Sequence, residues 1–123
     1  MHLLDSNILI YAGQPGNEFL DAWLTAEGTR MSAISIPEVL GFTGLSADDE
    51  TVFEAWFARL FVQAVTEPIL RRAAALRRQR RMKLGDSIIA ATALVIGAKL
   101  VTRNVDDFKH IAGLEIVNPF DKS

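Results

Sequence analysis

At 123 residues, half of them hydrophobic and 23% charged, the chain has room for one domain around one core. No apolar run approaches the roughly 18 residues that span a bilayer, and Met1-His2-Leu3-Leu4-Asp5 lacks the basic start and apolar stretch of a secretion signal, so a cytoplasmic protein without membrane contact is expected. Cysteine is absent and His2 and His110 are the only histidines, which excludes disulfides and thiolate metal sites and disfavours an imidazole-rich zinc site.

In chain order, His2 to Leu4 predicts a first strand. Ser6-Asn7 can cap a helix through Ile8 to Ala12 that stops at Gly13 and the turn Gln14-Pro15-Gly16. Phe19, Leu20, Trp23 and Leu24 recur at helical spacing, predicting a second helix from Asn17 to Glu27. Met31 to Ser35 reads as a strand, and Pro37 suits the first turn of a helix through Glu38 to Thr43. Ser46-Ala47-Asp48-Asp49 opens a helix reaching about Leu60, with acids at its favourable dipole end. Phe61 to Val65 follows as a strand. Pro68 opens a helix to about Arg81, and Gly85-Asp86 starts an alanine-rich helix, Ser87 to Ile96, ended by Gly97. Lys99 to Thr102 is a strand, Val105 to His110 a helical turn, and Leu114 to Val117 the last strand. This alternation predicts an α/β sandwich, a single domain over 1–123, around a mostly parallel sheet.

Four acids stand in short apolar or small-residue contexts: Asp5 after Leu3-Leu4, Glu38 between Pro37 and Val39, Asp86 between Gly85 and Ser87, and Asp107 before Phe108. A carboxylate beside apolar packing is costly unless compensated. The simplest common compensation is a hard divalent cation with oxygen ligands. Glu38, Asp86 and Asp107 each have a plainer reading alone, as a first-turn acid, a helix cap or a turn residue, whereas Asp5 ends an apolar strand where a surface charge is not required. Together they fall at the carboxyl ends of strands or the helix starts that follow, where open α/β sheets bind ligands.

The basic residues are also unevenly placed. Arg71, Arg72, Arg77, Arg78, Arg80, Arg81 and Lys83 are 7 of the 13, and no acid intervenes between Glu67 and Asp86. Leu70, Ala73, Ala74 and Leu76 give that helix an apolar face, so the arginines could be simply its solvated side. A solvated helix, however, normally mixes signs for i,i+4 pairing. Contact with a polyanion beside the acids is therefore expected, with Arg103 as a further candidate. Trp23, Phe53, Trp56, Phe57 and Phe61 are read as mostly core. Yet Asp49 to Phe61 is apolar around more than one face, which calls for a partner or a second copy of the chain to cover it.

Leu-Leu-Asp-Ser-Asn-Ile-Leu-Ile-Tyr at the start, Ile-Pro-Glu-Val, Gly-Asp-Ser-Ile-Ile-Ala-Ala-Thr-Ala-Leu and Leu-Val-Thr-Arg-Asn-Val-Asp-Asp-Phe closely resemble PIN domains, and within them the VapC-type toxins of toxin–antitoxin modules. The resemblance spans the whole chain. It implies a three-layer α/β/α sandwich, Mg²⁺- or Mn²⁺-dependent endoribonuclease activity on RNA, a homodimer, and inhibition by a cognate antitoxin docking near the early helices, where Ile10 and Tyr11 could contribute. It places Asp5, Glu38 and Asp86 at the core acidic positions and Asp107 as the fourth, with Ser6, Asn7 and Asn104 in support. Ser87 departs from the commoner small apolar residue. Two rivals remain: a degenerate PIN domain serving as an RNA-binding scaffold, and a haloacid-dehalogenase-like phosphatase. The phosphatase needs a second aspartate where this chain has Asn7.

Overall fold

The computed structural model describes residues 1–121. Five strands, β1 His2–Leu4, β2 Thr29–Ser32, β3 Phe61–Gln63, β4 Lys99–Val101 and β5 Ile116–Val117, form one sheet in the order β3-β2-β1-β4-β5. Every pairing is parallel, with His2 opposite both Thr29 and Lys99. Parallel neighbours require crossovers. These are supplied by α1 Ser6–Ala12, α2 Asp21–Thr25, α3 Ser35–Leu40, α4 Ala47–Arg59, α5 Glu67–Gln79, α6 Leu84–Ile96 and α7 Val105–Phe108. The chain winds outward from β1 to β3, then returns to β4 on the other side of β1. The sheet's topological switch point therefore lies between β1 and β4.

Side chains alternate across a strand, and two cores follow. Leu3 and Leu100 pack with Ile69, Leu76, Ile89 and Phe108 from α5, α6 and α7. Leu4, Met31 and Val101 pack with Ile8, Leu9, Leu24, Val39 and Phe53 from α1 to α4. The parallel-sheet α/β sandwich expected from the alternation, in the three-layer α/β/α form that the resemblance implies, is the fold observed. Helix α6 packs along α5 and is buried from Ser87 to Ala93, which suits its alanine-rich sequence. It ends at Gly97 with φ 72°, a left-handed geometry that glycine adopts without steric cost.

Several elements differ from the sequence reading. The second helix is shorter and split, with a 3-10 turn at Glu18–Leu20 ahead of α2. β2 starts at Thr29 and stops at Ser32, because Ser35 already belongs to α3. Pro37 then sits at the third residue of that helix, where a missing N–H costs nothing. Ser46 caps α4 as expected, accepting from the Asp49 N–H at 3.0 Å. Ser6 does not cap α1. The N-cap position is Asp5, and the Ser6 hydroxyl is engaged elsewhere. The apolar face of α5 is Ile69, Ala73 and Leu76, whereas Leu70 is 47% exposed and Ala74 is also exposed. Phe61 is not core either. It is exposed on the edge strand, and the Arg30 guanidinium lies 4.2 Å above its ring.

Candidate active site: an acidic cluster at the switch point

β1 ends at Leu4, but the ladder continues one residue further, since the Asp5 N–H donates to the Val101 carbonyl at 2.9 Å. That bond places Asp5 between the ends of β1 and β4. Its side chain makes no capping bond to α1. Instead Oδ2 accepts from the Thr102 hydroxyl at 2.8 Å, and the residue is only 4% exposed. Burial pushes the carboxyl from 3.8 to about 6. The Thr102 hydrogen bond opposes that rise, and the charges of Asp86 and Glu38 add to it. Thr102 is itself fixed, because its oxygen accepts from the Asn104 N–H at 3.0 Å.

Glu38 projects from the first turn of α3. Its Oε1 accepts from the Ser6 hydroxyl at 2.7 Å. Ser6 Oγ also lies 2.7 Å from Ser35 Oγ. A serine has one hydroxyl proton, and here it goes to Glu38, so Ser35 is the donor to Ser6. A relay thus runs from Ser35 through Ser6 to the carboxylate. On its other side Glu38 meets the start of α6, where a Cβ at Gly85 would overlap the Glu38 carboxylate. The glycine is what allows α3 and α6 to approach at this point.

Asp86 is the third residue of α6. The N-cap position is Lys83 and no side chain caps this helix, so Asp86 is not a structural cap. Its carboxyl is raised, first by burial and next by the charge of Asp107. Lys83 opposes this, and Glu38 reinforces it. Asp106 forms a 2.9 Å ion pair with Lys109, and it is Asp107, not Asp106, whose charge acts on Asp86. The predicted acids thus form one electrostatic unit, graded from buried Asp5 through half-buried Asp86 to exposed Glu38 and Asp107.

Lys83 acts on Asp86 at a distance, but no base among the described residues forms an ion pair with this unit. The ion pairs among the described residues join Arg71 to Glu67, Lys99 to Glu115 and Lys109 to Asp106, and none touches Asp5, Glu38, Asp86 or Asp107. No three acidic or imidazole side chains among the described residues lie close enough to enclose an ion at once. The donor chemistry nevertheless fits a hard divalent cation: several carboxylate oxygens, one of them buried and resisting ionisation, with no ion-paired base among the described residues.

The supporting residues divide. Ser6 serves Glu38. Asn104 contributes through its backbone and precedes α7 without a side-chain cap. Asn7 is partly buried in α1 and takes no part in these hydrogen bonds. Ser87 donates to the Leu84 carbonyl at 2.6 Å, away from the acids. Arg77 donates to the Met82 carbonyl at 3.3 Å, while Arg78, Arg80, Arg81 and Lys83 are exposed. Lys83 acts on Asp86, so the basic segment runs up to the acids. Arg103 stands apart, with its guanidinium 4.3 Å from the Phe120 ring and 5.1 Å from Tyr11. Thr102, Ser35 and Gly85 escaped the sequence reading. The first two are hydroxyls within three residues of a singled-out position, and Gly85 is a glycine inside a helix, a costly choice that signals close approach.

The PIN domain family model matches residues 2–114. A Mycobacterium tuberculosis protein named Ribonuclease VapC19 is 32% identical over 122 residues, covering 94% of this chain and 98% of its own. A structure of a toxin–antitoxin complex from Klebsiella pneumoniae contains a chain 31% identical with a TM-score of 0.77, covering 98% of this chain and 99% of that one. A DNA-bound VapBC from Salmonella typhimurium has a TM-score of 0.81 at 22% identity, covering 96% of this chain and 97% of that one, a likeness of fold.

Proposed function

The chain belongs to the PIN domain family, and on that footing we propose that it is a VapC-type toxin: a metal-dependent endoribonuclease that cleaves RNA phosphodiester bonds and is held inactive by a cognate antitoxin. The observation that carries this reading is the acidic cluster without an ion-paired base among the described residues, centred on an Asp5 raised to about 6, in a chain 32% identical to a ribonuclease. Asp5, Glu38 and Asp86 would hold Mg²⁺ or Mn²⁺, in part through waters that the ion retains, with Asp107 as the fourth acid. When bound, such an ion supplies a water of lowered pKa and offsets charge on the phosphorus and the leaving oxygen. The protein's own contribution is positioning. Thr102 fixes Asp5, the Ser35–Ser6 relay fixes Glu38, and the start of α6 presents Asp86. Lys83, Arg77, Arg78, Arg80 and Arg81 lead an RNA backbone to that point, and Arg103 is a second, separate phosphate contact.

The antitoxin reading draws on the opposite helices. A cleft of about 500 Å³ lies between α1, α2 and α4, bordered by Gln14, Leu24, Val52 and Trp56. A second of about 170 Å³, bordered by Ile10, Phe42 and Phe53, adjoins it. Such concave, partly apolar clefts suit an inserted peptide. We further read the protein as a cytoplasmic homodimer. No helix among the described residues is long and apolar enough to cross a membrane.

Cleavage of single-stranded RNA with Mg²⁺ or Mn²⁺, set beside chelator and Asp86→Asn, tests the activity. Loss in both supports it. Cleavage that survives chelator refutes the metal step. RNA binding that ignores the cation, without cleavage, is the outcome for a scaffold. Turnover of a small phosphate ester instead of RNA is the outcome for a phosphatase. Co-expression with a neighbouring small gene should give a tight, inactive complex.

A further inference from the structure

Next to the acids lies a cleft of about 230 Å³ that the metal reading does not use. Arg80, Arg81 and Lys83, on the irregular segment between α5 and α6, line one side. Asp86, Asp106 and Asp107 mark its junction with the acidic cluster, and His110, just beyond α7, lines it too. Both ring nitrogens of His110 are shielded from solvent and have no hydrogen-bond partner among the described residues. Shielded polar atoms nearly always find a partner, so an imidazole with neither nitrogen satisfied is out of place unless something else completes it. Burial, and then the charge of Arg80, lower the pKa of His110. A neutral imidazole offers one donor and one acceptor. A hydroxyl, which both donates and accepts, can complete either ring nitrogen, one at a time.

We propose that this cleft seats the nucleotide beside the scissile phosphate, with Arg80, Arg81 and Lys83 on its phosphate and His110 hydrogen-bonded to its ribose 2′-hydroxyl. The proposal rests on the nuclease reading and adds to it the residue that tells RNA from DNA. Arg80 is exposed and near enough for its charge to act on the ring. Because both nitrogens are shielded in the free protein, the cleft wall must shift on binding for the sugar to reach the ring. The arginines and lysine bind any nucleic acid backbone. The 2′-hydroxyl is the one group on the sugar that DNA lacks.

The test is equilibrium binding in chelator, so that cleavage plays no part. The probes are a short mixed-sequence single-stranded RNA and the DNA of the same sequence, measured against the parent, His110→Phe and His110→Gln. The parent should prefer RNA. His110→Phe keeps a ring of similar size and should lose about three- to tenfold in RNA affinity, the worth of one neutral hydrogen bond, with DNA affinity unchanged. His110→Gln retains a donor and an acceptor and should recover most of the loss. Melting temperatures confirm that both variants fold, and unchanged DNA binding is a second control. A parent without preference for RNA, an RNA preference that survives His110→Phe, or equal losses on both strands overturns the proposal. Failure of the nuclease reading looks different: the binding preference stands, and RNA remains intact when Mg²⁺ or Mn²⁺ is supplied.

Discussion

Asp5→Asn should stabilise the protein in chelator, because the native residue is ionised where burial opposes charge. Its carboxyl rises from 3.8 to about 6 in the fold. At roughly 1.4 kcal/mol for each tenfold change in proton affinity, charging it costs about 3 kcal/mol. Asp5 is 4% exposed, so solvent screening does not reduce this much. The sign follows from linkage. Between pH 3.8 and about 6 the folded state binds the proton more tightly than the unfolded chain, so stability falls as pH rises through that window. The penalty is absent below it and complete above it. Asparagine keeps an acceptor for the Thr102 hydroxyl, now 2.8 Å from Oδ2, and removes the charge. At pH 8 with chelator the variant should melt about 9–15 °C above the parent, taking about 3–5 °C per kcal/mol for a chain of this size. The gap should close towards pH 4. Millimolar Mn²⁺ should raise the parent by linkage, about 2.7 kcal/mol at a hundredfold excess over Kd, and leave the variant nearly unmoved. Thermal melts at three pH values, with and without metal, decide the matter. A variant less stable than the parent at pH 8, or a gap that does not narrow on acidification, refutes the argument.

Gly85→Ala should separate stability from activity. Alanine favours the helix by up to about 1 kcal/mol, but its Cβ displaces the Glu38 carboxylate. Cleavage should fall by about two orders of magnitude, the cost of misplacing a reacting group by about an ångström, while the melting temperature holds or rises. Full activity would show that Glu38 is not needed where it stands. Thr102→Val removes the one side-chain hydrogen bond that lowers the Asp5 pKa. The acid limb of the pH–rate profile should therefore move to higher pH, and an unmoved limb would exclude Asp5 from that limb. Neutralising Arg77, Arg78, Arg80 and Arg81 together should flatten the salt dependence of RNA binding by about 0.7 in slope for each phosphate no longer neutralised. A constant slope would leave these arginines as a solvated face.

The sequence by itself determined the period of each element and hence the layers. The alternation of Leu3 with Leu4 and of Leu100 with Val101 specifies a sheet buried on both faces, and the apolar spacing of α5 and α6 specifies the helices that cover one of them. It also singled out the acids, since a charge at the end of an apolar strand stands out locally. Boundaries were less legible where two elements meet. β2 stops at Ser32 because Ser35 and Glu38 are drawn into α3 by hydrogen bonds with Ser6, a residue about thirty positions away. Only the tertiary structure decided what compensates each group. Thr102 meets Asp5 across 97 positions, the Gly85 gap exists because Glu38 arrives from another helix, and the unpartnered imidazole of His110 is visible only once every neighbour is in place. Periodicity is a local property, carried by the spacing of side chains along one segment. Hydrogen-bond satisfaction and the energy of a buried charge are sums over neighbours that only the folded chain brings together.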